Sequence, residues 1–446
     1  MFPLITRNNV FLSLIFLVAS FSSLFGQTEL DSLSREFVVV DSISIEGNEK
    51  TKEYIILREL TFEAGDTVSV GELEFSRDRI NSMKLFYSVK FNFYGEGFHK
   101  NLEIAVKESW YIFPVPFIRL QSNKLSRSNF GATLNWNNFT GRNDKLNVFA
   151  ILGYDPSYGV SYSSPQVSSE LNLSFFISLS RHKINNKSQK AKEIVGEKFH
   201  YSTYDVALGL GSRINIFNEY YFNLGFRYLE SPYAGEGITA SGTNIDRNPF
   251  VRANYSYDSR DFKLFAKEGF LIYGSLMWLG WGIENYNYEI VSLDVRNYKT
   301  LLGDLVARWR FVTRNAFGTN IPFYDYSYLG FNNYVRGNKN KEREGLHSAL
   351  GSVELSYPLL KSWIFSIKLP LLPQNLTSVN VSVQLNVFAD TGLTYNTGEK
   401  IDLKKFDSGY GFGIVILFLP YNAVRFEYAF NEFGRGEFLF GTGFSF

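Results

Sequence analysis

The chain has 446 residues, among them 43 Phe and 28 Tyr, no Cys, and a formal net charge of +1. The lack of cysteine excludes disulfides, thiolate metal sites, a thiol nucleophile and a cysteine-linked lipid anchor. The near-zero charge offers no positive field for general nucleic-acid binding. So many aromatics beside an ordinary charged fraction of 20% suit the girdles and lipid-facing bands of a transmembrane barrel.

The amino terminus, residues 1–26, reads as an export signal. Arg7 supplies the positive start, Val10 to Val18 an apolar run, and Gly26 a small residue before Gln27. That run is too short to span a bilayer comfortably, which favours a cleaved peptide over a retained anchor. Leu24 is larger than usual three residues before the cut, so the cleavage position stays open. No later segment has 18 consecutive apolar residues, the minimum for a membrane helix. Any membrane passage must therefore use strands.

Residues 37–108 read as a small mixed unit with the order β-α-α-β-β. Ile43 and Ile45 alternate with Ser42 and Ser44 in a first strand that stops at Gly47-Asn48. A helix is expected from about Thr51 to Leu60, then a break at Ala64-Gly65-Asp66. Ser69 and Glu72 have capping-box spacing for a second helix, with Val70, Leu73, Ile80 and Met83 on its inner face. Strands at about Phe86 to Tyr94 and Leu102 to Lys107 finish the unit. Its Ile45-Glu46-Gly47-Asn48, Arg58-Glu59-Leu60, Gly65-Asp66 and Leu85-Phe86-Tyr87-Ser88-Val89 segments resemble a POTRA (polypeptide-transport-associated) domain. Any other small α+β domain is the plainer alternative. Exposed strand edges in such a domain can bind an unfolded client by β-augmentation.

From Trp110 onward the apolar residues recur with period two, the signature of strands. Leu171 to Leu179, Tyr220 to Tyr228 and Val424 to Phe430 each give one alternating face. About sixteen strands of 9–11 tilted residues fit residues 109–446. The expected fold is a transmembrane β-barrel of about 16 antiparallel strands with one N-terminal periplasmic α+β domain. An even strand number returns both ends to the periplasmic side. Phe438, Phe440, Phe444 and Phe446 occupy alternate positions to the last residue, a pattern that resembles the C-terminal assembly signal of outer-membrane barrels. A soluble edge strand can carry the same pattern. If it is the signal, deleting Phe446 lowers membrane levels more than Ser445→Ala, which immunoblotting of membrane fractions measures.

One connection is long. Between strands ending near Val312 and beginning near Ser348 lies Asn333-Tyr334-Val335-Arg336-Gly337-Asn338, and two strands on comes Phe388-Ala389-Asp390-Thr391-Gly392. Val379 to Val387 mark the lipid face of that strand, so parity aims Gln384, Asn386 and Asp390 into the lumen. A lumenal carboxylate is a natural partner for an arginine on an inserted loop. Val335, Arg336 and Gly337 match the V-R-G loop core of the BamA/TamA superfamily (the bacterial surface antigen family), and Phe388, Asp390 and Gly392 its F-x-D-x-G strand motif. Asp258, Arg260 and Asp261 with Gly269 resemble its D-x-R-D periplasmic turn, and Gly409 to Tyr428 its G-x-G…P…R-x-E-Y pattern. Each motif alone is weak; their order and spacing make the joint resemblance specific. Asn338 departs from the aromatic residue usual after the loop glycine, which leaves the packing of the loop tip open.

The resemblance implies an outer-membrane protein assembly, insertion or translocation factor with its POTRA domain in the periplasm and no cofactor. A seam between first and last strands would open to expose edges for a client strand. Pro114 and Pro116 lack ladder donors and suit a weak seam, or else mark the linker between domain and barrel. Implied partners are outer-membrane lipids, unfolded barrel or secreted client proteins and periplasmic accessory proteins, without nucleic acid. The alternatives are a dedicated passenger or solute transporter, and an accessory structural barrel. The Arg336–Asp390 pair reads equally as a tether. No G-x-S-x-G, H-E-x-x-H or P-loop motif suggests an enzyme, and His99, His182, His200 and His347 lack metal-ligand spacing. The lysine-rich run from His182 to Lys198 reads as a solvated external loop.

Overall fold

A computed structural model describes residues 37–442 except 122–123, 168–169, 171, 331–332, 340, 371–372 and 420–421. The export segment, Phe444 and Phe446 lie outside the described residues. The N-terminal unit is a four-stranded sheet of β1 (Phe37–Glu46), β2 (Thr67–Ser69), β3 (Phe86–Tyr94) and β4 (His99–Glu108), ordered β2-β1-β4-β3. Its core is Val40, Ile56, Leu73, Ile80, Leu85, Leu102 and Ile104 under two helices, Glu53–Leu57 and Val70–Ser82. Ser69 caps the second helix in a reciprocal box with Glu72.

Three expectations need correction here. The three-residue β2, too short for a period to show, pairs antiparallel with β1. The first helix is only Glu53–Leu57. Val70 is exposed, because as the first helical residue it sits off the Leu73–Ile80 line that faces the sheet.

The barrel sheet has sixteen strands. The first eight are β5 (Ile112–Gln121), β6 (Lys124–Asn137), β7 (Lys145–Gly153), β8 (Ser157–Ser164), β9 (Leu173–Asn185), β10 (His200–Arg213), β11 (Asn218–Glu230) and β12 (Ile245–Asp258). Then follow β13 (Gly269–Leu279), β14 (Asn287–Leu302), β15 (Leu305–Thr319), β18 (His347–Ser366), β19 (Ser378–Tyr395), β20 (Asp407–Leu419), β21 (Asn422–Asn431) and β22 (Gly436–Thr442). The short β16 (Ser327–Leu329) and β17 (Arg343–Gly345) form a separate hairpin inside the long loop. Every neighbouring pair in the barrel is antiparallel. Side-chain alternation sorts the faces: Phe222 and Leu224 on β11 are each 57% exposed on the lipid side, while Arg227 turns inward to Asp205 at 2.9 Å. No described helix is long and apolar enough to cross a membrane; the strands do so.

The sheet ends at β5 and β22, and among the described residues no ladder pairing joins them. Pro114 and Pro116 sit in β5, as expected where proline is confined to edge strands.

The N-terminal domain caps the periplasmic mouth. Arg79, 1% exposed, donates to the carbonyls of Ile216 (2.7 Å) and Asp258 (3.1 Å) in two periplasmic turns. Glu59 lies between Arg79 (3.3 Å) and the β10 residue Arg213 (2.6 Å). Arg58 reaches Gln166 at 2.7 Å, and Phe75 meets Phe217 edge-on at 6.0 Å. The run after His182 is not all solvated loop: Gln189–Val195 is a helix, and its buried Ala191 packs with Phe199, Ile238 and Phe323 over the extracellular end.

Candidate functional site: a loop locked inside the barrel

The connection between β15 and β18 is too long to be a hairpin turn and folds back into the barrel. Its first anchor is Asp325. This buried carboxylate accepts from Tyr288 at 2.6 Å and faces Arg227 at 3.4 Å, while its carbonyl accepts from Arg314 at 2.7 Å. The β16–β17 hairpin follows, then Val335, buried with Leu329 and Leu350.

Arg336 is the second anchor, 3% exposed. Its Nε and Nη2 donate to Asp390 Oδ2 and Oδ1 at 2.7 and 2.8 Å, and its backbone N–H donates to Oδ2 at 3.0 Å. Nη1 divides between Glu354 and Glu427, both at 3.0 Å. The guanidinium carbon stands 3.5 Å from the centroid of the Phe388 ring. A planar fork can satisfy a carboxylate edge, two further acids and an aromatic face together, which an ammonium cannot. Two further arginines complete the charge balance: Arg308 contacts Glu354 (3.3 Å) and Arg425 contacts Glu427 (3.4 Å). Three carboxylates therefore meet three guanidiniums in a buried network.

Glycines let the loop lie this close to the wall. Gly337 has φ +97°, and a Cβ there would stand 2.6 Å from the Phe430 carbonyl oxygen. On β20, a Cβ at Gly409 would collide with the Arg336 carbonyl. Gly409→Ala should therefore push the loop off its seat, at the roughly 1–3 kcal/mol typical of overpacking. Faster amide exchange at residues 333–338, with unchanged exchange in β11 and β12, is the expected result. Asn338, where an aromatic is usual, docks by polar contacts instead, donating to the Ser408 carbonyl (3.0 Å) and Glu432 (2.8 Å).

The predicted residues thus fall into separate places. Val335, Arg336, Gly337, Phe388 and Asp390 meet at one point, and Gly392 lies beside Leu329 of the loop. Asp258, Arg260, Asp261 and Gly269 lie at the other end, in the periplasmic β12–β13 turn. There Asp258 grips Arg260 at 2.8 Å, Asp261 accepts from the Lys267 N–H at 2.9 Å, and Gly269 has φ +109°. This turn sends Phe262, Leu264 and Phe265 across the mouth onto Val415, Leu417 and Ala423 of β20 and β21. Phe438 and Phe440 project outward from β22 and are exposed.

Sequence reasoning missed the roles of Glu354, Glu427, Arg308, Arg425 and Asp325. Parity against Val424, Phe426 and Tyr428 does point Arg425 and Glu427 inward, and Glu354 is the last acid before Asp390. Those signals were available. Asp325 carries no comparable pattern.

Comparison with known proteins fits this geometry. The profile of the Omp85 superfamily domain matches residues 138–446. A POTRA profile described as a surface antigen variable number repeat matches residues 38–109. Among solved structures, the chain is similar to BamA from Haemophilus ducreyi lacking POTRA domains 1–3. The identity is 16%, 91% of this chain and 83% of that chain are covered, and the TM-score is 0.54. It is also similar to CdiB from Escherichia coli, at 12% identity, 91% and 73% coverage and a TM-score of 0.52. At such identities these likenesses show the fold. A search of curated proteins finds no match. Barrels of this family with POTRA domains reside in the Gram-negative outer membrane, POTRA side in the periplasm, and mediate insertion or secretion of proteins. The profile match extends over most of the chain, and the protein belongs to the Omp85 superfamily.

Proposed function

We propose that this protein inserts client strands into the outer membrane through the β5–β22 seam, with residues 37–108 receiving unfolded clients as a POTRA domain and residues 109–446 forming the barrel. The observation that carries the reading is that β5 and β22 end the sheet without pairing to each other among the described residues. An unpaired edge presents backbone donors and acceptors that a client strand can complete. Pro114 and Pro116, two residues apart, remove two donors from the same side of β5, which keeps any β5–β22 ladder weak. The locked loop serves as the fixed reference against which the seam moves, and Arg336 with Asp390 is its main fastening. The outer-membrane lipids bathe the exposed wall, and periplasmic accessory proteins deliver or hold clients.

Depleting the protein and quantifying the outer-membrane proteome tests this. The reading expects many barrel proteins to fall together. Loss of one secreted passenger, with other barrels unchanged, would instead assign a dedicated transporter.

A further inference from the structure

Strand β18 overshoots its neighbour. Its ladder with β15 ends at Ser356, and Lys361 pairs with Asp304 of the β14–β15 turn at 2.8 Å. Pairing with β19 continues to Ser366. Beyond Lys361, on the periplasmic side, the alternation of exposed and buried residues stops. Trp363, Ile364 and Phe365 are 53%, 46% and 38% exposed although successive side chains face opposite ways, and Ile367 and Leu369 are exposed as well. Neither a lumen wall nor a simple lipid-facing stripe gives that pattern, since each leaves one face covered or polar.

The chemistry of the segment is one-sided. No acidic residue occurs between Glu354 and Asp390, and the only charges there are Lys361 and Lys368. The outer stripe of β18, with Tyr357 and Leu359 exposed to lipid, runs directly into it. We propose that the end of β18 and the residues that follow it, from Trp363 to Leu369, form an interfacial anchor that inserts into the inner, phospholipid leaflet of the outer membrane. Tryptophan prefers the headgroup level, phenylalanine and isoleucine bury in the acyl region beside it, and the Lys368 stem can lie along acyl chains while its ammonium meets phosphate. Continuity with the lipid-facing band, the lack of carboxylates and the exposure of both faces together select a bilayer surface over a protein groove. The anchor fixes the height of strands β18 and β19, which carry Glu354 and Asp390, against the membrane plane.

The absence of native cysteine permits a direct test. Ile367→Cys, Leu224→Cys on the lipid face and Lys400→Cys in the exposed β19–β20 loop are each labelled with a nitrobenzoxadiazole probe in the full chain. The proteins are placed in phosphatidylethanolamine–phosphatidylglycerol nanodiscs, where both faces meet solvent. The probe at 367 should be quenched by a spin label at a shallow acyl position several-fold more than the probe at 400, and should be shielded from iodide. Adding Ile364→Asp to the Ile367→Cys protein should restore iodide quenching. Iodide quenching at 367 equal to that at 400 would overturn the proposal. So would shielding that arises only when a periplasmic extract is added, which would assign the surface to a protein partner.

Discussion

Replacing Arg336 with alanine is expected to free the loop and depress client assembly while the barrel still forms. Among the described residues the substitution leaves Asp390, Glu354 and Glu427 with ion pairs only to Arg308 and Arg425, so one buried negative charge loses its compensation. Breaking a buried charge set in this way costs on the order of 3–5 kcal/mol, and water entering the lumen lowers that figure. The main-chain hydrogen bonds of the sixteen strands are untouched, so heat-modifiable migration of the barrel on SDS gels should persist. Limited proteolysis should cut within residues 320–346 of the variant and spare the wild type. Arg336→Lys should not rescue, because a single ammonium cannot reproduce the fork on Asp390 or the stacking on Phe388. Asp390→Asn should weaken the contact less, since the amide keeps one acceptor and Glu354 and Glu427 remain. Protection of the loop in Arg336→Ala would contradict the lock. A freed loop with normal client assembly would reduce the network to a tether.

Glu59→Gln is expected to undock the periplasmic domain. Among the described residues Glu59 is the only carboxylate that touches both Arg79 and Arg213, and its neutralisation leaves these two buried guanidiniums with only the longer Arg213–Glu219 contact, 3.7 Å, to offset them. By the same reasoning as for the loop, the loss is about 3–5 kcal/mol of docking energy, less where the interface admits water. Amide exchange should rise at the surface of the Val70–Ser82 helix that faces the barrel, and in the turns at 214–217 and 259–268. The domain's own core, centred on Ile56, Ile80 and Ile104, should stay protected. Burial pushes the Glu59 carboxyl up, but the charges of Arg213, Arg79 and Lys263 outweigh it and hold it below the ordinary carboxylate range. Its stabilisation is therefore complete above the ordinary glutamate pKa and disappears only as pH falls through the lower folded value. Docking should persist under mild acid in the wild type. Equal exchange in wild type and Glu59→Gln would remove Glu59 from the docking account.

The strands were legible because lipid on one side and packed or hydrated polar groups on the other impose a two-residue period. Leu224 and Arg227 differ in parity and lie on opposite faces. The partnership of Arg336 with Asp390 could be anticipated from parity on β19 and from the loop's length. Parity also turns Glu427 inward, but that Glu427 and Glu354 converge on Arg336 follows only from the ladders that set β18 beside β19 and β21 two strands away. The same holds for Glu59 and Arg213, separated by more than 150 positions and brought together by docking alone. The helix at Gln189–Val195 was hidden by its two lysines, because only the small Ala191 is fully buried and Lys190 docks through a polar contact to the Tyr326 hydroxyl at 3.1 Å. Asn338 shows how a departure from a motif can be accommodated, with polar partners on β20 and the β21–β22 turn replacing aromatic packing.

The most direct measurement concerns the seam. Cysteine pairs, one between Ile112 and Pro116 on β5 and one between Phe438 and Thr442 on β22, can be introduced without competing native thiols. The purified protein is reconstituted in vesicles and the folding of an outer-membrane barrel client is followed by its protease resistance. If clients enter through this seam, oxidation of a cross-linked pair stops client folding and a reductant restores it, while the single-cysteine proteins are unaffected. Full client folding with the pair shown to be cross-linked would contradict the account.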